Sequence, residues 1–152
     1  MSSRRTGRRW AVQFLFQRDY NEGPLDEDLA AFWRMNDVNP DDRPFAESLV
    51  RGVEGRREEI DALLAGVAEH WSLRRMGGVD RNVMRLAVYE MLALDDVPHV
   101  VSINEAVELA KLLSDEASGK FVNGLLDRIR KQLEAGGEPS SAAEPAPEVA
   151  DG

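Results

Sequence analysis

With 152 residues, no cysteine, 43% hydrophobic and 31% charged residues, the chain has the size and composition of about one globular domain. Disulfides, thiolate metal sites and a cysteine nucleophile are excluded, and no apolar run approaches the roughly 18 residues of a membrane span. The net charge of −9 argues against a nucleic-acid partner as a sum, but residues 1–18 hold five arginines and no acid, and residues 134–152 hold five acids and no base. A locally basic end on an acidic body can still bind a polyanion, because salt screens charges beyond about 8–10 Å.

The chain opens on RRTGRRWAVQFLF. As a helix, Arg4, Arg5, Arg8 and Arg9 form two i,i+4 pairs, with Trp10, Ala11, Phe14 and Leu15 supplying a core face. Cations at a helix N-terminus oppose the helix dipole by about 0.3–1 kcal/mol each, so helix stability alone does not explain the cluster. The pattern fits RNA-contacting arginines or a disordered solubilising start. After a turn at 21–24, a short helix spans 25–35 with Leu29, Phe32 and Trp33 apolar. A break at 36–43 is followed by a longer helix from Asp42. Pro44 is tolerable in its first turn, and a stripe from Phe45 through Leu49, Val53, Ile60 and Leu64 reaches Val67. Gly52 and Gly55 weaken that helix and suit either close packing or a kink. Residues 70–78 read as a short helix and a turn, with a basic pair at Arg74-Arg75.

Residues 79–128 organise the chain. Val83, Leu86, Ala87 and Met91 share one helical face, with Asp80 expected as N-cap and Pro98 beyond the end. Ser102-Ile103-Asn104-Glu105 has the form of a capping box opening a second helix, and Phe121, Leu125, Ile129 and Leu133 mark the stripe of a third. After Leu133 the chain turns to paired glycine, proline and acid, a composition that cannot offset its ordering entropy. The expected fold is all-α: a compact bundle of about six to seven helices over residues 1–135, with Asp80 a boundary at which two subdomains could divide. A disordered tail is expected over 136–152.

Chemistry finds little support. His70 and His99 are the only histidines and form no metal-spaced cluster, and no phosphate loop or serine elbow is present. No catalytic residue, metal or cofactor is expected. The basic start lacks the apolar core of a secretory signal, so the cytoplasm is the default. Lys120-Phe121 is the sharpest local candidate: an aromatic beside a cation can stack an unpaired base while the cation holds its phosphate. By spacing alone, Phe121 equally starts the core stripe.

The stretches NEAVELAK (104–111) and KFVNGLLD (120–127), with the spacing between them, resemble the signature of the NusB family of bacterial transcription antitermination factors. RLAVYEM (85–91), Val97-Pro98 and the arginine-rich opening are similar too, and the likeness runs from about Arg4 to about Lys131. The resemblance implies an all-helical RNA-binding adaptor. It would hold the boxA element of nascent single-stranded RNA, as in ribosomal RNA operons, together with the ribosomal protein NusE in the transcription elongation complex. By position it implies RNA contacts at Arg4, Arg5, Arg8, Arg9, Phe16, Arg85, Lys120 and Phe121. Phe16 stands where a tyrosine is common, and Arg85 could instead pair with Glu90 or Asp80. Ala117 departs from the pattern, which has an acid there, and Gly124 fits a close helix approach. Asp80, Glu90, Asp95, Asp96 and Glu105 give the central block an acidic character that suits a basic ribosomal protein. Two other readings compete. One is a helical protein–protein adaptor, monomer or homodimer, without an RNA role. The other is a substrate-guiding relative of the helical domain fused to RNA cytosine methyltransferases.

Overall fold

The computed structural model describes residues 3–68 and 72–136, so His70 and the tail beyond 136 lie outside the described residues. Within them the chain forms α1 (Arg4–Arg18), α2 (Leu25–Met35), α3 (Arg43–Gly55), α4 (Arg57–Val67), a 3-10 turn (Leu73–Arg75), α5 (Gly78–Ala93), α6 (His99–Leu113) and α7 (Glu116–Gly136). The fold is all-α: no strand occurs among the described residues, and no helix there is long and apolar enough to cross a membrane.

Helix α5 is the post around which the others pack. Every residue from Asn82 to Val88 is buried, so this helix is enclosed all round rather than on one stripe. It touches α1, α3, α4, α6 and α7. One continuous apolar core runs through all seven helices, from Phe14 and Leu15 on α1 to Leu126 and Ile129 on α7. On α1 the buried set is Ala11, Val12, Phe14 and Leu15, while Trp10 stays at the margin. Helices α6 and α7 form a tight antiparallel pair, and Asp115 caps α7 by accepting from the Ser118 amide at 2.8 Å.

Four local expectations are corrected. The long helix from Asp42 divides at Arg56, whose backbone (φ −121°, ψ 23°) leaves the helical region between α3 and α4. The two glycines have different jobs. Gly55 lies at the break with open space around it, while Gly52 admits Tyr89 of α5 so closely that a Cβ there would sit 2.0 Å from its Cζ. Asp80 is inside the first turn of α5, which opens at Gly78. The Ser102 capping box is not used: α6 starts three residues earlier at His99, behind Pro98, and both box side chains serve tertiary partners described below. Gly124 is exposed with nothing within 4 Å of an added Cβ, and it is Gly119 that lets α6 and α7 close, against the Lys111 side chain.

Gly52→Ala should destabilise the fold by about 1–3 kcal/mol through overpacking, measured by chemical denaturation. Tyr89→Leu in the same chain should recover part of that loss; strictly additive losses would mean the Gly52–Tyr89 contact is not what constrains the site.

Candidate nucleic-acid interface

The four N-terminal arginines do not act as one cluster. Ser3 caps α1 by accepting from the Thr6 amide, and the helix then sorts its two i,i+4 pairs onto different faces. Arg4 and Arg8 flank the Phe45 ring of α3, at 4.9 and 5.7 Å from its centroid. Arg8 is buried, and its guanidinium donates to both oxygens of buried Glu90 on α5, at 2.7 and 2.9 Å. The Ser102 hydroxyl of α6 donates to the same carboxylate at 2.8 Å. Arg8 is therefore a fastener between three helices with no surface to offer a phosphate. Arg4 stays outside, paired with exposed Asp96 at 3.0 Å. Such a pair is worth at most about 1 kcal/mol and yields readily to a stronger anion.

Arg5 and Arg9 face the other way and line a pocket of about 270 Å³ with Glu105, Glu108 and Leu112 of α6. Arg5 donates to both oxygens of Glu105, at 3.0 and 2.8 Å. Those bonds hold the Glu105 carboxyl below the usual range despite partial burial. Arg9 is exposed, and among the described residues no carboxylate pairs with it.

Arg85 is also inside. It donates to Asp61 at 2.8 and 3.0 Å and to Asp19 at 3.1 Å, so its partners are neither Glu90 nor Asp80. Asp19, just past α1, accepts in addition from Arg57, Arg81 and Asn82, at 3.1, 2.7 and 2.8 Å. Burial opposes the Asp19 charge, but the Arg81 and Asn82 hydrogen bonds and the Arg81 and Arg85 charges outweigh it and lower its pKa. Arg81 also donates to the carbonyls of Leu73 and Met76, tying the 3-10 turn to α5.

That turn carries a cation the sequence offers only as half of a basic pair. Arg75 lines a second pocket, of about 290 Å³, with Gly77, Asp80, Asp115, Ser118 and Phe121. Phe121 is half-buried and packs on the core as well as lining this pocket, so its two readings hold together. Lys120, its neighbour, is exposed. Ala117, where the family pattern has an acid, is on the same wall. Burial, with the nearby Asp115 charge, pushes the Asp80 carboxyl above the usual range, partly offset by the Ser118 hydroxyl. From the α1 side Phe16 reaches the pocket's edge: its ring lies against Gly78, next to Gly77, at 2.6 Å from where a Cβ would be. On a helix of 3.6 residues per turn Arg5, Arg9 and Phe16 fall within about 40° of one another, over about 16 Å. The expected acidic partner face is dispersed, because Glu90, Glu105 and Asp96 are each taken by an N-terminal arginine.

The NusB family model matches residues 5–131. The chain belongs to the NusB family. A transcription antitermination protein NusB of Desulfosudis oleivorans is 48% identical over 139 residues, covering 88% of each chain. One from Myxococcus xanthus is 45% identical over 137 residues, covering 88% of this chain and 98% of its own. Among solved structures, T. maritima NusB aligns with a TM-score of 0.78 at 39% identity, covering 87% of this chain and 94% of that one. A structure of the antitermination factors NusB and NusE in complex with double-stranded RNA aligns with a TM-score of 0.75 at 32% identity, covering 84% and 96%. NusB proteins serve transcription antitermination and RNA binding rather than catalysis.

Arg8→Ala should cost about 3–5 kcal/mol of stability, because Glu90 is left buried and unpaired, whereas Arg9→Ala should change it by less than about 0.5 kcal/mol. Equal losses in urea titration would contradict this division. For Asp80, a raised pKa means its charge burdens the fold above that pKa and the burden lifts as pH falls through it. Asp80→Asn should therefore raise Tm at neutral pH, with the gain vanishing in acid; a pH-independent gain would reject the charge as its cause.

Proposed function

We propose that the chain binds single-stranded, boxA-like RNA of nascent transcripts, such as those of ribosomal RNA operons. It would do so together with a NusE-type ribosomal protein in the cytoplasmic elongation complex, without altering the RNA covalently. One observation carries the reading. Arg5, Arg9 and Phe16 form a single stripe of α1, and Phe16 meets the Gly77–Gly78 edge of the pocket holding Phe121 and Arg75. Cations followed by aromatic faces are what a single strand requires, phosphates first and unstacked bases next. A duplex hides its base faces and gains nothing from the aromatics. Lys120 adds exposed charge next to Phe121, Arg4 lies on another face of α1, and Arg8 and Arg85 hold the scaffold from inside. The solved complex of NusB and NusE with double-stranded RNA supports RNA and a NusE-type protein as partner classes, and the choice of a single strand rests on the aromatic faces alone.

The test is filter binding of the full chain to boxA-like and scrambled single strands and to a duplex, with and without the ribosomal protein. Each neutralised phosphate steepens the log–log salt dependence by about 0.7 for single strands. Joint replacement of Arg5 and Arg9 by alanine should thus flatten the slope by roughly 1.4. An unchanged slope, or a preference for the duplex, would overturn the assignment.

A further inference from the structure

The most exposed aromatic ring among the described residues is in neither pocket. Tyr20 is 76% exposed, against 39% for Phe16. It gives up the burial that an aromatic of about 150–250 Å² normally contributes to a core. Yet it is not loosely held. Its amide donates to the Gln17 carbonyl at 3.1 Å, and its neighbour Asp19 is pinned by Arg57, Arg81, Asn82 and Arg85. The ring itself is braced edge-on against Phe16, with centroids 5.9 Å apart and planes at 67°. A rigid, exposed ring has already lost the conformational entropy that binding would otherwise cost it.

Tyr20 also continues the line already drawn. It follows Phe16 by four residues, as Arg9 follows Arg5, so cations and then two aromatics succeed one another along the same side of α1 and its C-terminal turn. Asp19, which precedes Tyr20 in the chain, is answered by three guanidiniums, and the next acid, exposed Glu22, is two residues on.

We propose that Tyr20 is a second stacking platform, taking the unpaired base next to the one on Phe16, so that the RNA path runs the whole length of α1. This rests on the RNA-binding reading above. The 67° between the two rings carries the choice of ligand. Bases lying flat on both must splay apart, which consecutive nucleotides of a single strand can do and stacked bases of a duplex cannot.

The experiment compares the wild-type chain with Tyr20→Ala, Tyr20→Phe and Arg9→Ala, titrated separately with a boxA-like single-stranded oligonucleotide, a duplex of equal length and the NusE-type ribosomal protein. Tyr20→Ala should weaken single-strand binding by about 5-fold or more, the loss expected for one stacked base. Tyr20→Phe keeps the ring face and should bind within about 2-fold of wild type, with duplex binding and Tm unmoved in both. If Tyr20→Ala binds as tightly as wild type while Arg9→Ala is weakened, Tyr20 is off the path and the broader reading stands. If wild type binds no single strand, that reading itself fails, and this inference with it. If Tyr20→Ala loses only the basic ribosomal protein, Tyr20 is a protein contact and the inference is overturned.

Discussion

A guanidinium shut between three helices decides which way the first helix faces. Arg8 and Glu90 are almost wholly buried, and the Ser102 hydroxyl completes the carboxylate's shell. Removing two charges from water costs several kcal/mol per ion, and only good geometry and satisfied partners return it. Such a pair is a weak source of stability but a strong constraint on register. Rotating α1 by one residue so that Gly7 faced Glu90 would leave that carboxylate buried and unpaired. With Arg8 fixed inward, Arg5, Arg9 and Phe16 are carried to the α6 side and to the pocket edge at Gly78. Asp19 repeats the device at the other end of α1, joining it to α4 and α5.

The same logic explains how an acidic protein can offer a cationic path. Its net charge is −9, but many of its arginines pair locally with acids, between helices as Arg18 with Asp28 and Arg85 with Asp61, or within one as Arg130 with Asp127. What counts within a screening length is the cation left over: Arg9 is exposed at the hollow between α1 and α6, Arg75 at the hollow edged by Phe121, and Lys120 next to Phe121 in the chain. The pairs of Arg4 with Asp96 and Arg5 with Glu105 hold those guanidiniums at the surface. An acidic body around a narrow basic line limits non-specific capture of nucleic acid while leaving that line usable.

Helix existence was legible because periodicity is local: α2 spans the residues its apolar spacing marks, and Phe121 through Leu133 do share one face. Caps were not, because Ser102 and Glu105 satisfy a local pattern that tertiary partners claimed first. The arginine cluster shows the limit for the site. Spacing gives the pairs 4/8 and 5/9, but that Arg8 alone turns inward depends on Glu90, 82 residues away. Arg85 likewise finds Asp19 and Asp61 rather than acids within a turn of its own helix. Arg75 was visible only as a charge, since nothing local says that the turn bearing it is tied down by Arg81 beside Phe121. The family pattern, which aligns positions without seeing burial, placed Arg8 and Arg85 with the RNA contacts.

The division between the arginines that build the scaffold and those proposed to bind RNA can be read side chain by side chain. Arginine Nε–Hε signals of the full chain, followed by NMR while a boxA-like single strand is added, report each guanidinium separately. Arg5, Arg9 and Arg75 should shift progressively, with Arg8 and Arg85 unmoved and protected from solvent exchange. Shifts concentrated on Arg8 and Arg85, or confined to arginines of α3 and α4, would contradict the account.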